Sequence, residues 1–127
     1  MVCLDTNILI EILREDVDST ELEERLSNQN ICITSVTVFE LWCGILLKRK
    51  DAERRALEAL LRSLDVLGMD AESAKISAEI YISSRKDGVE IPPLDAMIAG
   101  IVRRYGERLV TRDKHFSRID GLEVVEY

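Results

Sequence analysis

Val2-Cys3-Leu4-Asp5-Thr6-Asn7-Ile8-Leu9-Ile10 is the stretch on which the fold turns. Val2, Cys3 and Leu4 form an apolar run that reads as a short buried strand. Ile8, Leu9, Ile12 and Leu13 then fall at helical spacing, so a helix begins directly after Asp5 and covers residues 6–14. A strand that hands over to a helix at a single acidic residue is the opening of a βα unit, and the rest of the chain repeats that alternation.

Working outward, Thr20 and Glu23 match a capping box for a helix through Leu26. Ile31-Cys32-Ile33-Thr34 is the next strand, closed by Ser35 as a helix cap. A helix over 36–48 carries Phe39, Cys43, Leu46 and Leu47, and one over 52–64 carries Leu57, Leu60, Leu61 and Leu64 in phase. A short strand fits 65–68. Asp70 caps a long helix whose Ala74, Ala78, Tyr81 and Ile82 share a face, ended by Lys86-Asp87-Gly88. Pro92-Pro93 suits the start of a helix to Tyr105. Strands follow at 108–111 and 122–125. The expected fold is α/β, with a central parallel sheet of four to five strands flanked by helices on both faces. In such sheets the ligand site lies at the carboxyl ends of the strands, where strand order reverses.

Composition bounds the rest. A chain of 127 residues, 46% hydrophobic and 32% charged, reads as one folded domain over 1–127 rather than a disordered segment. No apolar run approaches the roughly 20 residues a membrane helix needs. The first residues lack the pattern of a secretory signal, so the expected compartment is the cytoplasm. Cys3, Cys32 and Cys43 are odd in number, widely spaced and set among apolar neighbours, and read as buried free thiols. Seventeen basic against 24 acidic residues give a net charge of −7, which disfavours nonspecific coating of nucleic acid. The single histidine, His115, excludes multi-histidine metal sites.

Most of the acids decorate polar helical faces; four do not. Asp5 projects from the end of the first strand. Glu40 has Cys43, Gly44 and Leu47 at i+3, i+4 and i+7, which places it on the apolar stripe. Asp95 has Ile98, Ala99 and Val102 at the same offsets, and Asp113 follows the strand 108–111 by two residues. Singly, Asp5 is a cap, Asp95 a first-turn acid and Asp113 a turn residue. Together they converge on one end of a parallel sheet, where four carboxylates repel strongly unless a hard dication sits among them. An all-oxygen set without histidine suits Mg²⁺ or Mn²⁺. Thr6, Asn7 and Thr111 stand beside these acids as supporting polar groups.

At these residues the sequence resembles a PIN domain, and specifically a VapC-type toxin ribonuclease. The resemblance runs through 2–10, Val38-Phe39-Glu40-Leu41, Pro93-Leu94-Asp95-Ala96-Met97-Ile98-Ala99, Leu109-Val110-Thr111-Arg112-Asp113-Lys114-His115-Phe116 and Gly121-Leu122-Glu123-Val124, in order across nearly the whole chain. It implies an acidic Mg²⁺ site mapped most firmly to Asp5 and Asp95 and completed by Glu40 and Asp113. It also implies endonucleolytic hydrolysis of single-stranded or looped RNA by metal-activated water, a dimer, and restraint by a VapB-like antitoxin. Arg112, Lys114 and His115 flank Asp113 and are the candidates for RNA phosphate. The basic run Lys48-Arg49-Lys50 with Arg54 and Arg55 reads as a solvated helix end. Trp42 and Phe39 read chiefly as core. The early helices, with Ile8, Ile10, Ile12, Leu13, Leu22 and Leu26, hold more apolar residues than one buried face needs, which suggests a partner groove or dimer surface.

Other readings are weighed against this one. A haloacid-dehalogenase-like phosphatase needs an acid two residues after its strand-end Asp, and Asn7 stands there. A receiver-like domain needs adjacent acids where the chain has Asp5-Thr6. A PIN-fold RNA- or protein-binding module without turnover is the non-enzyme alternative.

Overall fold

The computed structural model describes residues 1–14, 24 and 27–126. The helix expected between Thr20 and Leu26, with its apolar Leu22 and Leu26, lies outside the described residues except for Glu24. Among these residues five strands occur in chain order: β1 (Val2–Leu4), β2 (Ile31–Thr34), β3 (Asp65–Leu67), β4 (Arg108–Thr111) and β5 (Glu123–Glu126). The helices described are α1 (Thr6–Leu13), α2 (Ser35–Lys48), α3 (Asp51–Ser63), α4 (Ala71–Lys86) and α5 (Pro93–Arg104), with a 3₁₀ turn at Phe116–Arg118. The strands form one parallel sheet in the order β3-β2-β1-β4-β5. Strand order therefore reverses between β1 and β4, and their carboxyl ends, at Leu4 and Thr111, open the crevice where α/β sheets bind ligands. No helix among the described residues is long and apolar enough to cross a membrane.

Alternation along the strands separates two cores. Cys3, Cys32 and Leu109 point to one face and pack with Ile98, Ile101 and Val102 of α5 and Phe116. Val2, Leu4, Ile33 and Val110 point to the other and pack with Ile8, Leu41, Ile45 and Leu57. Cys3 and Cys32 are register partners with free thiols. The hydrogen bond to Cys32 and burial hold the Cys3 thiol well above the usual range.

Two helices present faces other than those expected. On α2 the apolar residues Phe39, Cys43, Leu46 and Leu47 face outward, with Phe39 57% and Leu47 85% exposed, and Cys43 is not buried. The buried side is Val36, Thr37, Leu41 and Ile45, and only Trp42 of the two aromatics packs on the core. The helix carries enough apolar residues for two stripes, and periodicity does not say which is inward. On α4, Ala74, Ala78 and Ile82 are exposed, and the buried face is Ser73, Ser77, Ile80 and Ser84. The reason lies in α5. A Cβ built on Gly100 would meet the Ser77 Oγ at 1.9 Å, the Ser77 N at 2.8 Å and the Ser73 carbonyl oxygen at 2.9 Å. Two helices so close admit only small side chains between them. Smaller departures are that Thr34, not Ser35, caps α2, and that β5 begins one residue later than expected.

Candidate functional site

Asp5, expected as a site residue, is also the cap of α1. Its backbone N–H donates to the Val110 carbonyl at 3.0 Å, which extends the β1–β4 pairing to the switch point. Its Oδ1 accepts from the Thr6 N–H at 2.8 Å, capping α1, and its Oδ2 accepts from the Thr111 hydroxyl at 2.7 Å. The carboxylate is thus clamped although it is only 5% exposed. Burial raises its pKa and Asp113 adds to the rise, while the bonds from Thr111 and Thr6 oppose it.

Thr111 also fixes Asp113. The Asp113 N–H donates to the Thr111 Oγ1 at 3.0 Å, so one buried hydroxyl links two acids. The Asp113 Oδ1 accepts from the His115 N–H at 2.9 Å and lies 2.7 Å from the His115 Nδ1. Glu40 reaches the group from α2 as a partly buried residue, and its Oε1 accepts from the Thr6 hydroxyl at 2.7 Å. The stripe expected to carry it inward, through Cys43 and Leu47, is solvent-exposed. The Thr6 hydroxyl holds it instead.

Asp95, in the first turn of α5, has no hydrogen-bond donor among the described residues. Burial, then the charges of Asp5, Glu40 and Asp113, raise it to about 6, with His115 opposing. Four carboxylates from four elements therefore feel one another at the carboxyl end of the sheet. As they stand, no group of three or more His, Cys, Asp or Glu among the described residues is arranged to hold a metal ion. The donor set is nevertheless oxygen only and short of positive charge. Mg²⁺ takes one or two carboxylates directly and keeps several waters, so Asp95 with Asp5 could hold it without a closed cage.

The surrounding residues divide. Asn7 is exposed and bonds to none of the acids among the described residues. Arg112 is tied to Glu11 of α1 at 2.9 Å and is not a free phosphate ligand. Lys114 and His115 are exposed on the turn after Asp113. The run 48–50 is exposed, with Arg54 and Arg55, as a solvated helix end. An apolar cleft floored by Ile10, Leu13, Leu41 and Ile45 adjoins the site, with Glu40 also in its wall. Sequence reasoning passes over Thr37, which is fully buried with its hydroxyl 3.1 Å from that of Thr6. The three-residue steps Thr34, Thr37, Glu40, which put all three on one side of α2, are the signal that finds it.

Comparison with known proteins agrees with the resemblance. Residues 2–122 match the family model described as PIN domain. The tRNA(fMet)-specific endonuclease VapC of Shigella flexneri is 32% identical over 98% of this chain and 96% of its own. Ribonuclease VapC3 of Methanocaldococcus jannaschii is 37% identical over 77% of this chain and 94% of its own. Among solved structures, VapBC2 from Rickettsia felis bound to a DNA fragment from its promoter superposes with a TM-score of 0.88 at 26% identity, covering 100% of this chain and 99% of that one.

Proposed function

This chain belongs to the PIN domain family, on its VapC branch, and from that premise we propose that it is a Mg²⁺-dependent endoribonuclease, the toxin of a toxin–antitoxin pair. The observation that carries the reading is Asp95: half-buried, without a donor among the described residues, and raised to about 6 first by burial and then by the charges of Asp5, Glu40 and Asp113, at the switch point of a parallel sheet. A bound dication would supply the missing charge, polarise a phosphoryl oxygen and acidify a water, and Mn²⁺ suits the same donors. The chain's own residues do the rest. Thr111 and the Thr6 N–H hold Asp5 in one rotamer, and the Thr6 hydroxyl holds Glu40. Asp113, fixed from Thr111, orients His115 on the exposed turn. Lys114 and His115 are the groups offered to RNA phosphate, whereas Arg112 is engaged by Glu11.

Partners follow from the same premise. The named relatives include VapBC complexes, which supports a VapB-like antitoxin for this chain. The apolar cleft beside Glu40 suits an antitoxin segment, and the outward stripe of α2 suits a second copy of the chain. The expected compartment is the cytoplasm, where both substrate and antitoxin are made.

The test is cleavage of a mixed RNA pool by the purified chain. Internal cuts are expected with Mg²⁺ and not with chelator, and Asp5→Asn and Asp95→Asn each lower the rate by roughly 100-fold or more. RNA binding without metal-dependent cutting would make the chain a binding module and sink the enzyme.

A further inference from the structure

We propose that Thr37 is a positioning residue for Glu40, acting through Thr6 along a chain of buried hydroxyls whose protons all run one way. The inference rests on the nuclease reading above and adds to it a residue that no part of that reading uses.

The direction of the chain follows from counting protons. Thr6 has one hydroxyl proton and two oxygens in reach, the Glu40 Oε1 at 2.7 Å and the Thr37 Oγ1 at 3.1 Å. A carboxylate oxygen only accepts, and hydrogen bonds to it are the shorter and stronger kind, so the Thr6 proton goes to Glu40. The bond between Thr6 and Thr37 must then be donated by Thr37. With its own proton committed, Thr37 accepts from the Thr34 hydroxyl at 3.3 Å. The Thr34 oxygen in turn accepts the Thr37 backbone N–H at 3.1 Å. The order is Thr34, Thr37, Thr6, Glu40, with each donor used once.

Burial makes the order binding. Thr34 and Thr37 are fully buried and Thr6 is 8% exposed, so water does not compete for these bonds. Capping of α2 accounts for the bond between Thr34 and the Thr37 N–H. It does not account for the Thr37 hydroxyl. A threonine in a helix commonly bonds back to the carbonyl four residues earlier. Thr37 makes no such bond among the described residues and aims across to α1 instead. Its target matters because Thr6 serves two acids at once, through its N–H to Asp5 and its hydroxyl to Glu40. By donating to the Thr6 oxygen, Thr37 fixes that rotamer and strengthens the proton offered to Glu40. Glu40 also borders an open cleft into which it would otherwise be free to turn.

The experiment compares the full chain with Thr37→Val, Thr37→Ser and Val36→Ala, the last lowering stability in the same helix away from the chain of hydroxyls. Two quantities are read: Mn²⁺ affinity by titration calorimetry without RNA, and the kcat and KM of Mg²⁺-dependent RNA cleavage. Thr37→Val is expected to weaken Mn²⁺ binding and lower kcat by about 10-fold each, with KM little changed, and Thr37→Ser to recover most of both. Val36→Ala lowers Tm and moves neither. If Thr37→Val does not fold, Thr37→Cys, of similar volume but a poor hydrogen bonder, is judged by the same criteria. A parent that binds Mn²⁺ and cuts RNA while Thr37→Val does both equally well overturns the role of Thr37 alone, as does a Thr37→Ser as impaired as Thr37→Val. A parent that does neither overturns the nuclease reading itself.

Discussion

On one face of the sheet, α4 and α5 approach so closely that serines fill the contact and Gly100 has no room for a methyl group. On the other, α2 buries Leu41 and Ile45 yet leaves Phe39, Leu46 and Leu47 to solvent. The first layer is closed and intolerant of added atoms. The second leaves apolar side chains exposed among the described residues. The contrast separates the layer that carries Asp95 on a tightly packed helix from the layer that leaves apolar side chains in solvent.

The largest expected effect breaks the closed layer. Gly100→Ala sets a Cβ against the backbone of α4, which must move away, and overpacking of this kind costs about 3 kcal/mol in urea unfolding. A loss below ~1 kcal/mol would mean the two helices slide freely and the closed layer is no constraint.

The next prediction uses that rigidity. Asp95 begins the helix that Gly100 locks, so it does not retreat from the other acids. Raised to about 6, it is protonated in the folded chain at pH values where the unfolded chain has already ionised. Between about pH 4 and 6 the folded state therefore binds the extra proton, and stability falls as pH rises through that window. Asp95→Asn removes the penalty. It should be more stable than the parent by on the order of 1–2 kcal/mol at pH 7.5, after allowance for solvent screening, and equal to it near pH 3.5. Saturating Mg²⁺ should close the gap from the parent's side. Parallel stabilities at both pH values would show that the carboxylates do not crowd one another.

The smallest effect on stability tests the open layer. Leu47→Ser, at a site 85% exposed, should change the unfolding free energy of dilute protein by less than ~0.5 kcal/mol. If the proposed second copy docks on α2, the change should nevertheless weaken self-association in sedimentation. A parent that sediments as a monomer, or unchanged sedimentation of the variant, would remove α2 as a dimer surface.

Legibility in the sequence follows the same division. The strands 2–4 and 108–111 coincide with their expected bounds, and the helix opened by Pro93 starts where expected and ends one residue before Tyr105, because short apolar runs and proline act locally. Of the four acids singled out, Asp5, Glu40 and Asp113 each raise the carboxyl of Asp95, an electrostatic nearness that their strand-end and helical positions suggested, although Glu40 lies beside a stripe that faces solvent. What was hidden depends on partners distant in the chain. Ser73 and Ser77 look solvent-facing until Gly100 draws α5 onto them. Cys43 and Phe39 look buried until Leu41 and Ile45 take the inward side of the same helix. Asp5 is clamped by Thr111, and neither residue alone announces the bond.

That last bond spans 106 positions, and β1, which delivers Asp5, sits at the centre of the sheet and pairs on both sides. During translation the opening strand must wait, unmatched on one edge, until β4 has left the ribosome. Nascent or stalled chains that stop short of Thr111 carry Asp5, Glu40 and Asp95 but not the hydroxyl that clamps Asp5. On the proposed nuclease reading, an unfinished copy would therefore lack the assembled site.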